Sequence, residues 1–371
     1  MRTEADMPRQ TSPPDSGSDA NFIGWQKRIS GEIFPLFNIT LKGHPLYQST
    51  VGEDTLRREH LRVPQTRSPY PEVIPSPWHK LGIELNNPRT ARDAITMAGL
   101  DYTVMRKARK VNPGVKEYTY ATVRKDTDEV LGFVDVNCKP IQNIYAFTFF
   151  DALVAQDEAI YETAGILGRG ELVWILARLP GHIMVHGNDI VNKYLLLTNS
   201  HDGRSYVRVR LTPIRAVCNN TLTSALQGAG EVQINHPKNA GQDGELAAAV
   251  LGLSNSLYEK LDETFNSMAN KKINEVQLRE YVQALVPDNE EAENTARTEK
   301  IRNSVLQLHE EGHGAKLARG TVWGAFNSVA EYTDHMMSAE DSATRLNSIW
   351  FGRGEQLKTK AFRLAQQMMS A

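Results

Sequence analysis

Apolar and polar residues alternate along most of the chain between about residue 78 and residue 211. Three stretches show this period of two on both sides of a polar turn: KEYTYATVRKDTDEVLGFVDV, ELVWILARLPGHIMVHG and KYLLLTNSHDGRSYVRVRLTP. β-Branched and aromatic residues are frequent in each stretch, as is typical of strands. The predicted turns are DTDE, Pro180-Gly181 and Asp202-Gly203, of which the last suits a two-residue hairpin. Successive hairpins predict an antiparallel meander, on which IYAFTFFDALVA is expected to pack as a helix.

The spacing of apolar residues changes after Pro213 from two to three and four. One long amphipathic face is formed by Leu246, Val250, Leu253, Leu257, Leu261, Phe265 and Met268. Further helices are predicted at about 291–312, 321–338 and 355–370. The predicted fold class is therefore α+β, with an antiparallel β-meander sheet packed by helices and followed by a C-terminal helical region. We expect the apolar helix faces to pack within the chain, and an oligomer interface is the alternative.

Four regions are predicted along the chain. Residues 1–20 lack an apolar signal-peptide core and are rich in Pro, Ser and Asp, which predicts a disordered tail. Residues 21–76 are rich in proline and predict an extended arm. Residues 77–230 are expected to form the α+β core domain, and residues 231–371 the helical region.

Composition narrows the possible partners and compartments. Apolar residues make up 40% of the 371 residues and charged residues 23%, an ordinary globular balance. Since no apolar run approaches the roughly 18 residues that span a bilayer, we expect a cytoplasmic protein without a membrane segment. Cys138 and Cys218 lie too far apart in sequence to suggest a metal pair, and no cofactor is predicted. The formal charge of −2 confines any nucleic-acid binding to a local basic patch.

The hairpin that begins at residue 192 and the segment after it, up to residue 230, carry the strongest functional candidates. Side chains alternate across a strand, so Tyr206, Arg208 and Arg210 are expected to share one face. Arginine can donate two hydrogen bonds to one phosphate, and a tyrosine ring can stack on a base. The predicted contacts of this hairpin are Lys193, Arg204, Tyr206, Arg208, Arg210 and Arg215. The alternative is an ordinary solvated sheet face.

The segment PIRAVCNNTLTSALQGAG is expected to form a helix that begins at Pro213 and ends at Gly228. Asn219 and Asn220 would lie in its middle, where asparagine is unfavourable and is often kept for a specific contact. These two residues are assigned either to nucleic-acid binding or to fixing the hairpin.

A second basic run lies near residue 108. It contains Arg106, Lys107, Arg109 and Lys110. Lys107, Arg109 and Lys110 are predicted to extend the binding surface, and the alternative is a solvated turn.

Four phrases of the chain resemble a known family. They are PWHKLG at 77–82, LTNSHDGRS at 197–205, TPIRAVCNNTL at 212–222 and GTVWGAFNSVAEYTDH at 320–335. In this order they are similar to the phage- and plasmid-borne proteins of domain of unknown function 932, over roughly residues 77–340. The resemblance implies a mobile-element protein and brings no activity with it.

The order of elements resembles a second group, the Rad-fifty-two superfamily of single-strand annealing proteins. The shared features are a β-meander and a following helix that ends in glycine, TLTSALQGAG at 221–230. This resemblance implies a sheet whose basic residues face DNA. The slightly acidic balance of the chain departs from that pattern.

The string HEEGH at 309–313 matches the H-E-x-x-H pattern of zinc peptidases. Gly312 and Gly314 are expected to end the helix there, whereas a zinc site needs the helix to continue. If the two neighbouring helices are antiparallel, Glu331 should lie opposite Asn303 and away from the histidines. We therefore predict no metal site. The alternative metal ligands are His309, His313, Glu331 and His335.

Taken together, these patterns predict a single-stranded DNA binding and annealing protein of a phage or plasmid. It would serve recombination or replication, form a homo-oligomer and bind through a basic sheet face without catalysis. One alternative is an oligomeric structural or regulatory protein of a mobile element that does not contact DNA. Another is a metal-dependent hydrolase that uses the 309–335 region. A non-enzymatic role is favoured.

Overall fold

The computed structural model of the chain falls into two compact units, Met1–Thr66 and Arg67–Ala371. It describes residues 20–27, 33–39, 82–108, 120–135, 138–203, 207–215, 218–219, 231–234, 243–288 and 292–370. In the first unit, Ala20–Lys27 (β1) and Ile33–Ile39 (β2) pair as antiparallel strands. They lie within the predicted arm, whose remainder falls outside the described residues, as does the predicted tail up to residue 19.

The second unit is built on two antiparallel sheets. Its strands are Ile83–Glu84 (β3), Val104–Ala108 (β4), Tyr120–Arg124 (β5), Val130–Val134 (β6), Ile160–Leu167 (β7), Leu172–Val185 (β8), Asp189–Ser200 (β9), Val207–Arg215 (β10), Cys218–Asn219 (β11) and Glu231–Ile234 (β12). The larger sheet has the order β11-β10-β9-β8-β7-β3, with β12 also paired to β10, and the smaller one is β4-β5-β6. The predicted antiparallel meander is confirmed.

Helices surround the larger sheet and dominate the C-terminal region. They are Ala91–Met97 (α1), Asn143–Ala146 (α2), Asp151–Ala155 (α3), Asp243–Asn270 (α4), Glu275–Leu285 (α5), Ala292–Glu311 (α6), Ala315–Ala318 (α7), Val322–Glu331 (α8), Ser342–Phe351 (α9) and Arg353–Ser370 (α10). A π-helical turn, Tyr332–Met336, follows α8. The predicted α+β class with a helical C-terminal region is confirmed. No helix in the described ranges is both long enough and apolar enough to cross a bilayer.

Two predicted boundaries are wrong, and proline is involved in both. β8 continues through Pro180 and Gly181, where the register shifts, and the chain reverses instead at His186 and Gly187, which have φ of 51° and 82°. Proline lacks a backbone donor and is tolerated at such strand irregularities.

The predicted helix does not begin at Pro213, because β10 stays paired as far as Arg215. Residues 220–230 of that predicted helix lie outside the described residues.

The two faces of the larger sheet pack against different helices. Val173, Ile175 and Leu197 belong to the main core, which they share with α4 and α8. On the other face, Trp174 and Leu196 pack with α9 in a second, smaller cluster. The sheet is therefore covered on both sides, with the larger core on the α4 side.

A fully buried ion pair joins the sheet to the helical region. The Nε of Arg215, at the end of β10, donates to both carboxylate oxygens of Asp189, at 2.8 and 2.9 Å. Its Nη2 donates to the same carboxylate at 2.7 Å and to the carbonyl of Gly314 at 3.1 Å. The indole of Trp323, in α8, donates to Asp189 at 2.9 Å. Two strands, the 312–314 segment and α8 are thus held by one polar cluster.

Replacing Arg215 with methionine is expected to destabilise the fold strongly. Arg215→Met would leave the Asp189 carboxylate buried without its guanidinium, and breaking one side of a buried pair costs about 3–5 kcal/mol. Urea unfolding followed by circular dichroism measures the loss. The matched control is Arg279→Met, whose side chain is 62% exposed beside Glu275 and should change stability by less than about 1 kcal/mol. An Arg215→Met protein that unfolds at the wild-type urea concentration would show that the pair is not needed.

Candidate nucleic-acid interface

The register of β10 places Arg208 and Arg210 on one face of the sheet. Arg208 lies opposite Thr198 and Arg210 opposite Leu196, and Thr198 in turn lies opposite Trp174. Both arginines are half-buried, while the alternating residues Val207 and Val209 are buried on the other side. The predicted shared face is confirmed for Arg208 and Arg210, while Tyr206 lies outside the described residues. We call the side that carries Trp174, Leu196, Arg208 and Arg210 the arginine face.

Arg210 is held by the end of α9. Its Nη1 donates to the carbonyl of Trp350 at 3.0 Å, and its guanidinium carbon lies 4.7 Å from the centroid of the Phe351 ring. The C-terminal carbonyls of a helix favour a cation, and an aromatic face adds a cation–π attraction. The guanidinium therefore lies beside a half-buried aromatic ring.

Other arginines lie near this pair. Arg178 is on the same face, opposite Tyr194, and forms an ion pair with Glu162 at 2.9 Å. The Tyr194 hydroxyl also donates to Glu162, at 2.7 Å. Arg353, two residues after Phe351, is exposed at the start of α10. Glu162 offsets the charge of Arg178, and Glu231 of β12 stands opposite Arg210 in the sheet register.

Two predicted contacts do not belong to the arginine face. Lys193 lies opposite Pro213 on the other side of the sheet, with its Nζ 5.7 Å from the Tyr258 ring of α4. Arg215 is fully buried in its ion pair. The prediction had ended the strand before Pro213. Because β10 continues, its alternation turns Arg215 toward the α8 side.

The remaining predicted contacts are dispersed or lie outside the described residues. Lys107 is in β4 of the smaller sheet and forms an ion pair with Asp128. Asn219 lies in β11 opposite Ile214, in a strand and not in a helix. Arg109, Lys110, Arg204, Tyr206 and Asn220 lie outside the described residues.

A buried amide and imidazole network underlies the β9–β10 connection. The Nε2 of His201 lies 2.8 Å from the Asn143 side-chain oxygen, which also accepts from the Asn199 amide at 3.1 Å. The Asn143 amide donates to the Leu100 carbonyl at 2.8 Å, so its oxygen faces the imidazole and Nε2 carries the proton. The buried Nδ1 has no hydrogen-bond partner within the described ranges. Burial lowers the pKa of His201 from its ordinary value of 6.5 to about 4.

The lowered pKa of His201 makes stability depend on pH. In the unfolded chain the imidazole takes up a proton near pH 6.5, whereas the folded state resists protonation until about pH 4. Stability should therefore fall as pH drops through this window, by on the order of 3 kcal/mol from this group. Urea unfolding at several pH values should show this slope, and His201→Gln should make it shallower, with buried His309 contributing part of what remains. The exposed His182→Gln is the control and should keep the wild-type slope, while a His201→Gln profile as steep as wild type would contradict the assignment.

The HEEGH segment has a structural role here. Helix α6 ends at Glu311, as the glycines predicted, and His313 lies beyond it. Buried His309 accepts a hydrogen bond at Nε2 from the backbone of Gly320 at 3.0 Å, and burial lowers its pKa. These contacts connect the end of α6 to the start of α8.

The predicted position of Glu331 is wrong. Its carboxylate accepts a hydrogen bond from the backbone nitrogen of His313 at 2.9 Å and does not lie near Asn303. The close approach depends on Gly312, where a Cβ would come within 2.7 Å of the Glu331 carboxylate. His335 is half-buried in the π-helical turn. Across the described ranges, no group of three or more His, Cys, Asp or Glu side chains is arranged to hold a metal ion.

The sequence reasoning missed the aromatic part of this interface. Trp350 and Phe351 belong to α9, which the apolar spacing had not identified. A signal is present in the chain, since Leu346, Ile349 and Trp350 stand at i, i+3 and i+4 and all three are fully buried. The helix is short and preceded by polar residues, so this stripe is weak.

Comparison with known proteins gives one match. A family model described as a domain of unknown function (DUF932) matches residues 130–350, well over half of the chain. The matched region contains the arginine face, the Arg215–Asp189 pair and almost all of α9. No curated protein and no solved structure matches the chain.

Proposed function

Because the chain belongs to the family of domain of unknown function 932, whose description assigns no activity, we propose a function from its own geometry. The protein binds single-stranded DNA on the arginine face and promotes annealing without catalysis. It would do so as a recombination or replication accessory of a phage or plasmid. The basic residues of the hairpin predict the same function from the sequence.

The observation that carries the proposal is the placement of Arg210. Its guanidinium contacts the Trp350 carbonyl and the Phe351 ring, and Arg208 lies two positions away on the same strand face. Side chains two apart on a strand are separated by about 7 Å along it. A single nucleic-acid backbone can therefore contact both guanidiniums.

An aromatic ring beside the arginines favours single strands over duplexes. Bases of a single strand expose their π-faces, and stacking on an aromatic side chain contributes to affinity without reading sequence. In a duplex these faces are already stacked on each other. Contacts to phosphate and ring would leave the base-pairing edges open, which is what annealing requires.

The overall charge of the chain limits how strongly salt should weaken DNA binding. With a formal charge of −2, the protein has no general attraction for phosphate, so few contacts should determine the salt dependence. For single strands, the slope of log K against log salt is about −0.7 per phosphate contact. Arg208 and Arg210 together should contribute a slope of about −1.4.

We expect the double variant Arg208→Ala with Arg210→Ala to bind at least about tenfold more weakly at low salt, because two phosphate contacts are lost. Its salt slope should also be shallower by about 1.4. Fluorescence anisotropy with a labelled oligothymidine measures both, and the same sequence as a duplex should bind more weakly than the single strand. Arg279→Ala, which removes an exposed arginine from α5, is the matched control and should bind like wild type.

Two outcomes would contradict the proposal. One is wild-type protein that leaves the anisotropy of the oligonucleotide unchanged at low salt. The other is a double variant whose affinity and salt slope equal those of wild type, which would place binding elsewhere on the molecule.

A further inference from the structure

Helix α9 covers the centre of the arginine face. Leu346, Ile349 and Trp350 project from it and are fully buried against the sheet. The Trp350 ring meets the Trp174 ring edge to face, with centroids 5.0 Å apart and an angle of 77° between the planes. These contacts form a small cluster of their own, separate from the main core, so the main core does not depend on them directly.

The covered surface contains polar groups that are not satisfied. The indole nitrogens of Trp174 and Trp350 and the hydroxyl of Thr163 are buried without a hydrogen-bond partner in the described ranges. Thr163 lies opposite Leu176, on the same side of the sheet. Burying a donor without an acceptor costs free energy that contact with water would recover. The packing of α9 against the sheet is therefore less stable than its apolar contacts alone would make it.

Trp174 is positioned by the sheet as well as by α9. The six-membered part of its indole fills the space above Gly82 and Gly165, where a Cβ would come within 2.5 and 2.6 Å of ring carbons. Gly165 is its direct neighbour on β7. The ring would consequently keep its place on the sheet if α9 moved away.

The polar contacts between α9 and the sheet include Arg210, one of the two proposed DNA-binding residues. Arg210 donates to the Trp350 carbonyl, and a phosphate would compete for the same guanidinium. At the other end of α9, the Arg345 side chain donates to the Met337 carbonyl at 2.9 Å. Residues 337–341 before the helix are not helical, and Gly352 after it is extended, with φ of −120° and ψ of −145°. These two connections are the places about which α9 would move while it stays attached, and movement would also break the hydrogen bond from the Gly354 backbone to the Ser348 hydroxyl, at 3.2 Å.

We propose that α9 is a displaceable cover, and that bases of a bound single strand stack on Trp174 and Trp350 when it lifts. This inference rests on the proposed function, because it names the part of that site which reads the bases. Arg208 and Arg210 hold the backbone at the edge of the cover. Trp174 then provides a stacking surface on the sheet, and Trp350 provides one on the underside of the lifted helix.

The test compares two Ile→Ala substitutions at fully buried positions. One is on α9, which packs against the arginine face, and the other is on β8 and points to the opposite face of the sheet. Ile349→Ala weakens the hold of α9, and Ile175→Ala removes the same atoms from the main core. Apparent affinity rises with the fraction of molecules in which α9 is lifted. Ile349→Ala should therefore bind oligothymidine at least about fivefold more tightly than wild type. Ile175→Ala should stay within about twofold of wild type. Ile349→Ala protein that binds as wild type does, or more weakly, overturns the cover.

Hydrogen exchange of the free wild-type protein, read by mass spectrometry, tests the cover without a variant and without DNA. A detached helix as short as α9 is only marginally stable, so its amides should exchange faster than those of α8 and faster still in Ile349→Ala. Amides of α9 that exchange as slowly as those of α8 overturn the cover. If oligothymidine does not bind wild-type protein, the proposed function and base stacking both fail, and this exchange result alone decides whether α9 moves.

Discussion

The buried ion pair between Arg215 and Asp189 is the constraint on which the arrangement of the second unit depends. Removing both charges from water is costly, and their mutual attraction and hydrogen bonds offset that cost. The guanidinium needs Asp189 and the Gly314 carbonyl, and the carboxylate also accepts from Trp323. These partners come from two strands, the segment after α6 and α8. Their requirements can be met together in one relative position of sheet and helices.

That position decides which face of β10 is available for function. Because Arg215 points to the α8 side, strand alternation sends Arg208 and Arg210 to the opposite side. Among the described residues, the short helix α9 and a small cluster pack on that side, whereas the long α4 and the main core lie on the other. One strand thus carries arginines with two roles. Arg215 fixes the fold, while Arg208 and Arg210 form the proposed binding surface.

Much of the fold could be predicted from local patterns, and the errors occurred where distant contacts decide the structure. Period-two alternation identified the meander, and the apolar stripe between Leu246 and Met268 identified α4, because these patterns follow from burying one face. Pro213 was taken as a helix start from its local preference, yet pairing with β9 keeps it in a strand. The same error placed Arg215 on the wrong face. Phe351 was missed because it meets Arg210 from 141 positions away in the sequence.

The HEEGH segment shows the same limit in the candidate site. Its residues match a metal-binding pattern locally, but their partners are the Gly320 backbone and Glu331, and these contacts hold α6 and α8 together. Motif spacing does not contain this information, because it depends on how the helices pack. The sequence predicts the arginine face correctly for Arg208 and Arg210. Strand alternation alone determines that these two side chains share a side.

The most direct test of where DNA binds is photo-cross-linking of the wild-type protein to an oligonucleotide that carries 5-iodouracil, with the adducts mapped by peptide mass spectrometry. Iodouracil reacts preferentially with aromatic side chains close to the base. We predict adducts on Trp174 of the arginine face, or on Trp350 or Phe351 of α9, which packs on that face. Adducts confined to the smaller sheet around Lys107, or to the surface of α5, would contradict the account.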